Sequence, residues 1–270
     1  MRDFSLDSVL RYLRLYSHFL RFAASRALQF RAELLFRVLM DVFFYTVFLG
    51  FYKILYQHTA HIGQWDEAQA LIFVSGFLVV DGLQMTFFAD MYHQFQVLYR
   101  QGGLDHYLTK PISAWFFVGF RNINFASLIN VFIALGIFSY FLAKAPFTFS
   151  AIALFVYLAL LCLSAFLYYL VMFAMLMSIF WTESAEGPLS IYFECVNFAS
   201  RPHHIFKGAL RTLLLTLVPF SVFASLPAQA FFEDVGWGLV AHVLLVVAGF
   251  FLLNLWLWNK GLKRYASAFG

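Results

Sequence analysis

The chain has 270 residues, of which 63% are hydrophobic and 12% are charged, and its formal net charge is +4. Soluble domains are nearer half apolar and a quarter charged. So few charged side chains cannot cover a soluble globule, and this composition favours an all-α protein that crosses a lipid bilayer several times. Nucleic-acid binding is not expected, because the basic residues are not interleaved with a soluble fold.

The N-terminal residues 4–31 are amphipathic rather than apolar throughout. Arg11, Arg14, His18 and Arg21 recur every three or four residues, which places them on one face of a helix opposite an apolar face. We expect an interfacial elbow helix that lies in the headgroup layer and orients the first span. An elbow that also packs against a cytoplasmic partner is the alternative.

Six segments are apolar enough, and long enough, to cross a bilayer as helices. They are residues 38–57, 69–92, 114–142, 150–180, 212–232 and 237–258. Lys and Arg are retained on the cytoplasmic side of such proteins. With the N-terminus inside, every Lys and Arg except Lys53, Lys144 and Arg121 is predicted on that side. We therefore expect one transmembrane domain, 1–270, in the cytoplasmic membrane of the cell, with both termini and residues 99–111 on the cytoplasmic side.

Two later segments contain helix-breaking residues. Segment 181–211 is expected to be cytoplasmic, and its apolar stretch 189–199 is too short to span, so it either lies at the membrane surface or continues a neighbouring span. The fifth predicted span contains Pro219 and Pro227, which interrupt helical hydrogen bonding. Irregular backbone at membrane depth must be covered by protein or line a cavity. The segment therefore either ends in short re-entrant helices on the outer side or contains an ordinary proline kink.

Enzyme and nucleotide-binding motifs are absent from the sequence. There is no His-Glu-x-x-His, no Gly-x-Ser-x-Gly and no phosphate-binding P-loop, so we expect no catalytic residue and no ATP bound by this chain. The cysteines, Cys162 and Cys195, suggest neither a disulfide nor a metal site. His58 and His61 have the spacing of two metal ligands, but no clear carboxylate or thiol accompanies them, so no metal is expected.

Charged residues inside the predicted spans are the strongest functional candidates. Asp81 lies near the middle of the second span, with Gln84 one turn further on. A charge at this depth is costly and should face protein or water. Asp81 therefore lines a pathway, pairs with a neighbouring helix, or is a protonated structural residue. Asp41 and Asp90 lie near the cytoplasmic boundary, where Arg121 either pairs with one of them or snorkels to the interface.

Two motifs complete the pattern: GGLDHYLTKP at 102–111, and RPHHIFKGALRTLLLTLVPFSVFASLPA at 201–228. Together with the elbow helix and six spans, they resemble the membrane subunit of type 2 ATP-binding-cassette (ABC) exporters, specifically the bacterial ABC-2 family transporter proteins. The resemblance covers nearly the whole chain, although Arg201-Pro202 stands where this group is expected to have Tyr-Pro.

The resemblance implies an exporter permease that forms a path for a hydrophobic or amphipathic substrate. Its implied partners are a second permease subunit, identical or a paralogue, and a separate ATPase that holds the ATP and Mg²⁺. A different class is an ion-coupled secondary transporter or channel that uses Asp81. An integral-membrane enzyme is disfavoured by the missing motifs.

The resemblance also implies that residues 99–111 form a coupling helix that docks in a cleft of the ATPase. The residue types agree with this role, since the two glycines permit a sharp turn, the aspartate can cap or begin a helix, and the proline ends it. The leucines and the tyrosine would form an apolar contact face. A plain reversing loop is the alternative. The residues assigned to coupling are Gly102, Gly103, Leu104, Asp105, Tyr107, Leu108 and Pro111.

Overall fold

The computed structural model describes residues 6–62, 64–110, 112–216, 219–232 and 236–269. Within these ranges the backbone is helical and contains no β-strand beyond an isolated bridge between Ile62 and Trp65. Two 3₁₀ turns, His203–Ile205 and Phe220–Val222, separate the later helices. The described α-helices are α1 (Leu6–Gln29), α2 (Arg31–His58), α3 (Glu67–Phe87), α4 (Ala89–Arg100), α5 (Asp105–Leu108), α6 (Ala114–Phe120), α7 (Phe125–Ala143), α8 (Ala151–Leu176), α9 (Ile179–Thr182), α10 (Glu186–Ala199), α11 (Gly208–Leu215), α12 (Ser225–Phe232) and α13 (Trp237–Phe269).

Five helical segments among the described residues are long and apolar enough to cross a membrane. These segments are Arg31–His58, Glu67–Arg100, Phe125–Ala143, Ala151–Thr182 and Trp237–Tyr265. The expectation of an all-α protein with several membrane-crossing helices is therefore confirmed. The predicted span 212–232 is not among these five.

Helix α3 lies at the centre of the bundle and packs against α7 and α8. It is buried along most of its length, whereas α2 and α13 expose most of theirs. Glycines let the helices approach closely: a Cβ on Gly76 would overlap the Tyr157 hydroxyl of α8, and one on Gly82 would lie 3.1 Å from a Val131 methyl of α7. Small residues at such contacts are a common means of packing helices in lipid.

Both described termini lie at one end of the bundle, together with the 99–111 loop. Tyr265 of α13 packs against Tyr99, with 5.6 Å between ring centroids. Tyr12 of α1 accepts a hydrogen bond of 3.1 Å from the backbone of Ser113. We call this the terminal end. The opposite, far end carries the α2–α3 connection, including Trp65, and the α7–α8 connection.

Helix α10 runs from the terminal end toward the far end. Glu186, at its start, forms an ion pair of 3.1 Å with Arg100 at the end of α4. Just beyond its last residue, the carbonyl of Ser200 accepts a 2.7 Å hydrogen bond from Tyr52, which lies within two turns of the far end of α2. With 14 residues, α10 is about 21 Å long.

The prediction that all of 181–211 lies on the same side as the 99–111 loop is therefore wrong for its second half. Arg201, Lys207 and Arg211 lie toward the far end: His204 contacts Trp65 with ring centroids 5.5 Å apart, and the carbonyl of Leu215 lies 2.9 Å from a ring nitrogen of His242 near the start of α13. The apolar stretch 189–199 is shorter than the roughly 20 residues expected of a membrane-crossing helix, so it is not predicted to run between the two ends of the bundle. In the structure, α10 does so while packed against α8.

Residues 208–216 and 219–232 are not one continuous helix: α11 ends at Leu215, and α12 begins at Ser225 after a 3₁₀ turn. We call these described residues the far-end hairpin. Its 3₁₀ turn enters the bundle, where the Val222 carbonyl accepts a 3.1 Å hydrogen bond from Ser164, midway along α8. Phe232, at the end of α12, returns to Trp65 with centroids 5.6 Å apart. Pro219 directly precedes the 3₁₀ turn. The predicted fold-back near Glu233 and Asp234 lies outside the described residues.

The second proline sits where a helix tolerates it. Pro227 is in the first turn of α12, where a backbone N–H has no partner within the helix. A proline-kinked span is therefore not what these residues form.

The prediction of one helix over 114–142 is also wrong. Helix α6 ends at Phe120, and α7 begins at Phe125 after a non-helical break. The side-chain Oδ1 of Asn124 caps α7 by accepting a 3.3 Å hydrogen bond from the backbone N–H of Ser127. The backbone N–H of Asn124 donates to the Thr86 carbonyl at 2.8 Å. An asparagine before a helix is a strong start signal, because it satisfies an amide that otherwise has no partner.

Candidate functional site

A cavity of about 620 Å³ lies between α2, α3 and α7, with contributions from α4, α8 and α10. Asp41, Asp81, Gln84 and Asn130 line its inner part. The part nearer the terminal end is lined by Glu33, Arg37, Asp90 and His93. Since four carboxylates line it beside one arginine, we call it the acidic cavity.

Asp81 is placed deep in the bundle by its position on α3. It lies 14 residues after Glu67, which corresponds to about 21 Å along the helix from the far end. Among the described residues, no donor forms a hydrogen bond with its carboxylate, and no cation lies within ion-pair distance. Asp81 therefore lines the cavity, and the predicted pairing with a neighbouring helix is not formed in the described part of the chain.

Two buried amides beside the carboxylates have unused hydrogen-bonding capacity. Asn130 is 3% exposed, donates from Nδ2 to a carboxylate oxygen of Asp41, and leaves its Oδ1 without a partner among the described residues. Gln84 is 4% exposed, and its Nε2 lies 3.7 Å from the Met172 thioether, which is a weak acceptor. Buried polar atoms are normally satisfied, so such atoms at a cavity wall suggest an absent ligand or water.

Exposed apolar side chains rim the same cavity. Phe36 and Met40 of α2, Met85 of α3 and Phe193 of α10 line it and are each more than two-fifths exposed. The wall thus changes from carboxylates and amides inside to aromatic and thioether groups at the rim. This arrangement suits a molecule with one polar end and one apolar end.

Arg121 does not pair with Asp90 or Asp41 in the structure. It lies in the break between α6 and α7 and donates to the Tyr107 hydroxyl, and its guanidinium carbon is 5.3 Å from the centre of the Phe117 ring. Asp90 lines the acidic cavity instead. Of the five intramembrane candidates, the structure brings Asp41, Asp81, Gln84 and Asp90 together and leaves Arg121 outside.

The 99–111 loop turns sharply and contains a one-turn helix. Gly102 has φ +67°, in the left-handed region that favours glycine, and the Gly103 amide donates to the Leu98 carbonyl at 2.8 Å. Asp105 begins α5 without capping it. Pro111 lies outside the described residues.

The two faces of α5 differ in burial. Leu104 is fully buried and Tyr107 is 9% exposed, packing 4.8 Å from Phe117, centroid to centroid. Asp105, His106, Leu108 and Thr109 are exposed, and we call them the outer ridge. The predicted apolar contact face of Leu104, Tyr107 and Leu108 is therefore not exposed as a whole. Positions 104 and 107 lie on the inward face, as their spacing of three residues requires. Leu108 is its one exposed member.

The inner side of the loop is tied to several helices. Tyr107 contacts α6 and the α6–α7 break, as described above. Tyr99 packs against Phe180 of α9, with centroids 5.5 Å apart, and against Tyr265 of α13. The inner side of the loop therefore contacts three separate elements of the bundle, α6, α9 and α13.

A family model described as "ABC-2 family transporter protein" matches residues 42–268. The chain belongs to the ABC-2 transporter family. It is thus a multi-pass permease component of an ABC transporter, with an ABC ATPase as its implied partner; permeases of this family are generally not ATPases themselves. The matched region of this ABC-2 permease excludes α1 and the start of α2. Searches of curated proteins and of solved structures returned no match.

Sequence reasoning missed most of the other residues that line the acidic cavity of the permease, including Asn130 and Tyr45 in its inner part. Asn130 is an amide in an otherwise apolar helix, and that polarity was the available signal, since polar residues in such helices usually face the bundle interior. Tyr45 lines the cavity from α2 and carries no signal that separates it from the other aromatic residues. Within the described residues, no group of three or more His, Cys, Asp or Glu could hold a metal ion.

Proposed function

We propose that this ABC-2 permease exports a hydrophobic or amphipathic substrate and is driven by a separate ATPase that docks on the outer ridge of α5. The observation that carries the proposal is the two-sided character of the 99–111 loop. Its outer ridge is exposed, while its inner face is packed against α6, α9 and α13. A plain reversing loop would need neither feature.

The proposal places the terminal end in the cytoplasm. Arginines of α1 and the start of α2 lie at this end, as do Arg100, Lys110 and the basic residues of the C-terminal tail. The far end holds Lys53, Lys144, Arg201, Lys207 and Arg211. The excess of positive charge still favours a cytoplasmic terminal end, although by less than the sequence predicts.

The membrane topology in this proposal has six crossings. They are α2, α3–α4, α7, α8–α9, α10 with its extension to residue 202, and α13. Helix α10 thus replaces 212–232 as the fifth crossing, and the far-end hairpin is re-entrant from the outer side. The 3₁₀ turn Phe220–Val222 is compatible with membrane depth because its side chains are buried in protein.

A second permease subunit, identical or a paralogue, completes the proposed transport path. ATP binding and hydrolysis in the ATPase would move the 99–111 loop and favour one conformation of the membrane subunits over the other. A nucleotide can shift this equilibrium only by the difference between its binding free energies to the two conformations. The elbow helix α1 packs on α6 beside the loop, with Phe19 and Phe117 centroids 5.4 Å apart.

Retention of an ATPase by the purified permease tests the proposal. Tagged permease is isolated from its native membranes, and the co-purifying ATP hydrolysis is measured. Leu108→Asp places a charge on the outer ridge and should reduce the retained activity by about tenfold or more, as loss of an interface anchor does. Gln64→Asp, an exposed position at the far end, is the matched control and should retain the activity.

Two results would contradict the proposal. One is equal ATPase retention by the Leu108→Asp variant and the unmodified chain. The other is transport that requires a proton gradient and ignores ATP depletion, which would favour the ion-coupled transporter.

A further inference from the structure

We propose that the acidic cavity binds the ammonium end of an amphipathic organic cation, which would be the cargo of the permease. This inference rests on the proposed transport function, since it names the chemical class carried by the same protein. It depends on three separate features of the cavity: its charge, its unfilled hydrogen-bond acceptors and its apolar rim.

The charge of the inner cavity favours a cation. Asp41 and Asp81 interact electrostatically with one another, and no Lys or Arg lies beside Asp81 in the described part of the cavity. Arg37 forms an ion pair of 2.8 Å with Glu33, one turn away on α2, and also attracts Asp41, so the four carboxylates of the cavity still outnumber its one arginine. Two like charges at membrane depth repel and are costly to bury, so a positively charged ligand would be stabilised between them.

The unfilled acceptors favour a cation that donates hydrogen bonds. Asp81 has no donor among the described residues, and the buried Oδ1 of Asn130, at 3% exposure, has none either. A primary or secondary ammonium group carries N–H donors, and its bonds to a carboxylate are charge-assisted. A quaternary cation lacks these donors and would leave the amide oxygen unsatisfied.

The apolar rim favours a molecule that continues into a hydrophobic body. Phe36, Met40, Met85 and Phe193 line the cavity and are exposed in the described chain. A volume of about 620 Å³ accommodates a small organic molecule rather than a bare ion. The part of the cavity lined by Glu33, Asp90 and His93 lies nearer the terminal end, so a ligand would enter from the proposed cytoplasmic side.

The test compares two fluorescent probes on the permease alone, in lipid nanodiscs without the ATPase. Dansylcadaverine carries an ammonium group, and dansyl-6-aminohexanoate carries a carboxylate on the same fluorophore with a linker of similar length. We expect dansylcadaverine to bind at least about tenfold more tightly, because only its charged end is complementary to the cavity. Equal binding of the two probes, or tighter binding of the anion, would overturn the inference.

A charge-removing variant locates the binding. Asp81→Asn should weaken dansylcadaverine binding by about tenfold and leave the weak binding of the anionic probe unchanged. Glu67→Gln is the matched control, because it removes the same charge from the exposed start of the same helix. Equal losses in the two variants would show attraction by surface charge and would contradict the inference. If Asp81→Asn does not fold, the comparison of the two probes on the unmodified chain still decides.

The outcome is separable from that of the proposed function. ATPase retention with no preference for the cationic probe contradicts the cargo inference alone. A preference for the cation in a chain that retains no ATPase contradicts the proposed function alone.

Discussion

The 99–111 loop and the far-end hairpin are both interruptions marked by glycine or proline, yet the fold uses them differently. The loop leaves the bundle, turns at Gly102 and exposes one face of α5. The hairpin enters the bundle, and Phe220, Val222 and Phe223 are almost completely buried there. Helix-breaking residues thus mark where regular structure stops, whereas the burial of the neighbouring side chains decides whether the chain turns outward or inward.

A polar substitution in the tip of the hairpin should have the largest effect. Phe223 is fully buried and packs 4.5 Å from Tyr168, centroid to centroid. Phe223→Asn should destabilise the permease by about 3–5 kcal/mol, because it removes the ring and buries an amide. Loss of the monodisperse peak on size exclusion after mild heating measures this.

The control for that change lies in the same hairpin. Leu210 of α11 is 45% exposed, so Leu210→Asn should leave the thermal midpoint close to that of the unmodified protein. Similar decreases in thermal stability for Leu210→Asn and Phe223→Asn would show that the tip of the hairpin is not buried in the bundle as described.

The two leucines of the 99–111 loop should separate folding from coupling. Leu104→Asp buries a charge where the side chain is fully enclosed, and we expect poor yield of folded protein, with a cost of about 3 kcal/mol or more. Leu108→Asp, on the outer ridge, should give normal yield and lose ATPase retention. Thermal unfolding of both variants tests whether Leu104→Asp is destabilised and Leu108→Asp is not. Normal folding of Leu104→Asp would contradict the assignment of the inner face.

A smaller effect is expected from the anchor between the loop and the α6–α7 break. Tyr107→Phe removes the hydroxyl that accepts a hydrogen bond from Arg121 but keeps the ring against Phe117. We expect a loss of about 1 kcal/mol in stability and a reduced stimulation of ATP hydrolysis by cargo. Unchanged stimulation would mean that this contact does not carry the movement of the loop.

The sequence predicts the membrane class and most crossing helices because lipid imposes a length and an apolar composition on each of them. It predicts the turn at Gly102 because few residues other than glycine adopt that backbone conformation readily. It does not predict α10 as a helix that runs between the two ends of the bundle, because its 14 residues are fewer than the roughly 20 that a lipid-spanning helix needs. The length and hydropathy criteria detect helices that are long and apolar enough to cross lipid alone. A shorter helix that packs against α8 does not meet them.

Four polar members of the candidate site are predictable from the sequence, but their assembly in one cavity is not. Asp41, Asp81, Gln84 and Asp90 are individually conspicuous as polar groups in apolar segments. Their meeting in one cavity depends on how α2 packs against α3 and α4, which no single helix encodes. Arg121 shows the same limit, because its partner is the Tyr107 hydroxyl of a loop rather than a carboxylate of a helix.

Cysteine accessibility at the two interruptions tests the central claim most directly. Thr109→Cys, on the outer ridge, and Lys207→Cys, before the far-end hairpin, are made in a chain with Cys162 and Cys195 replaced by serine, and intact cells are treated with a membrane-impermeant maleimide. We predict that position 207 is labelled in intact cells and that position 109 is labelled only after the membrane is permeabilised. Labelling of position 109 in intact cells, or protection of position 207 until permeabilisation, would contradict the account.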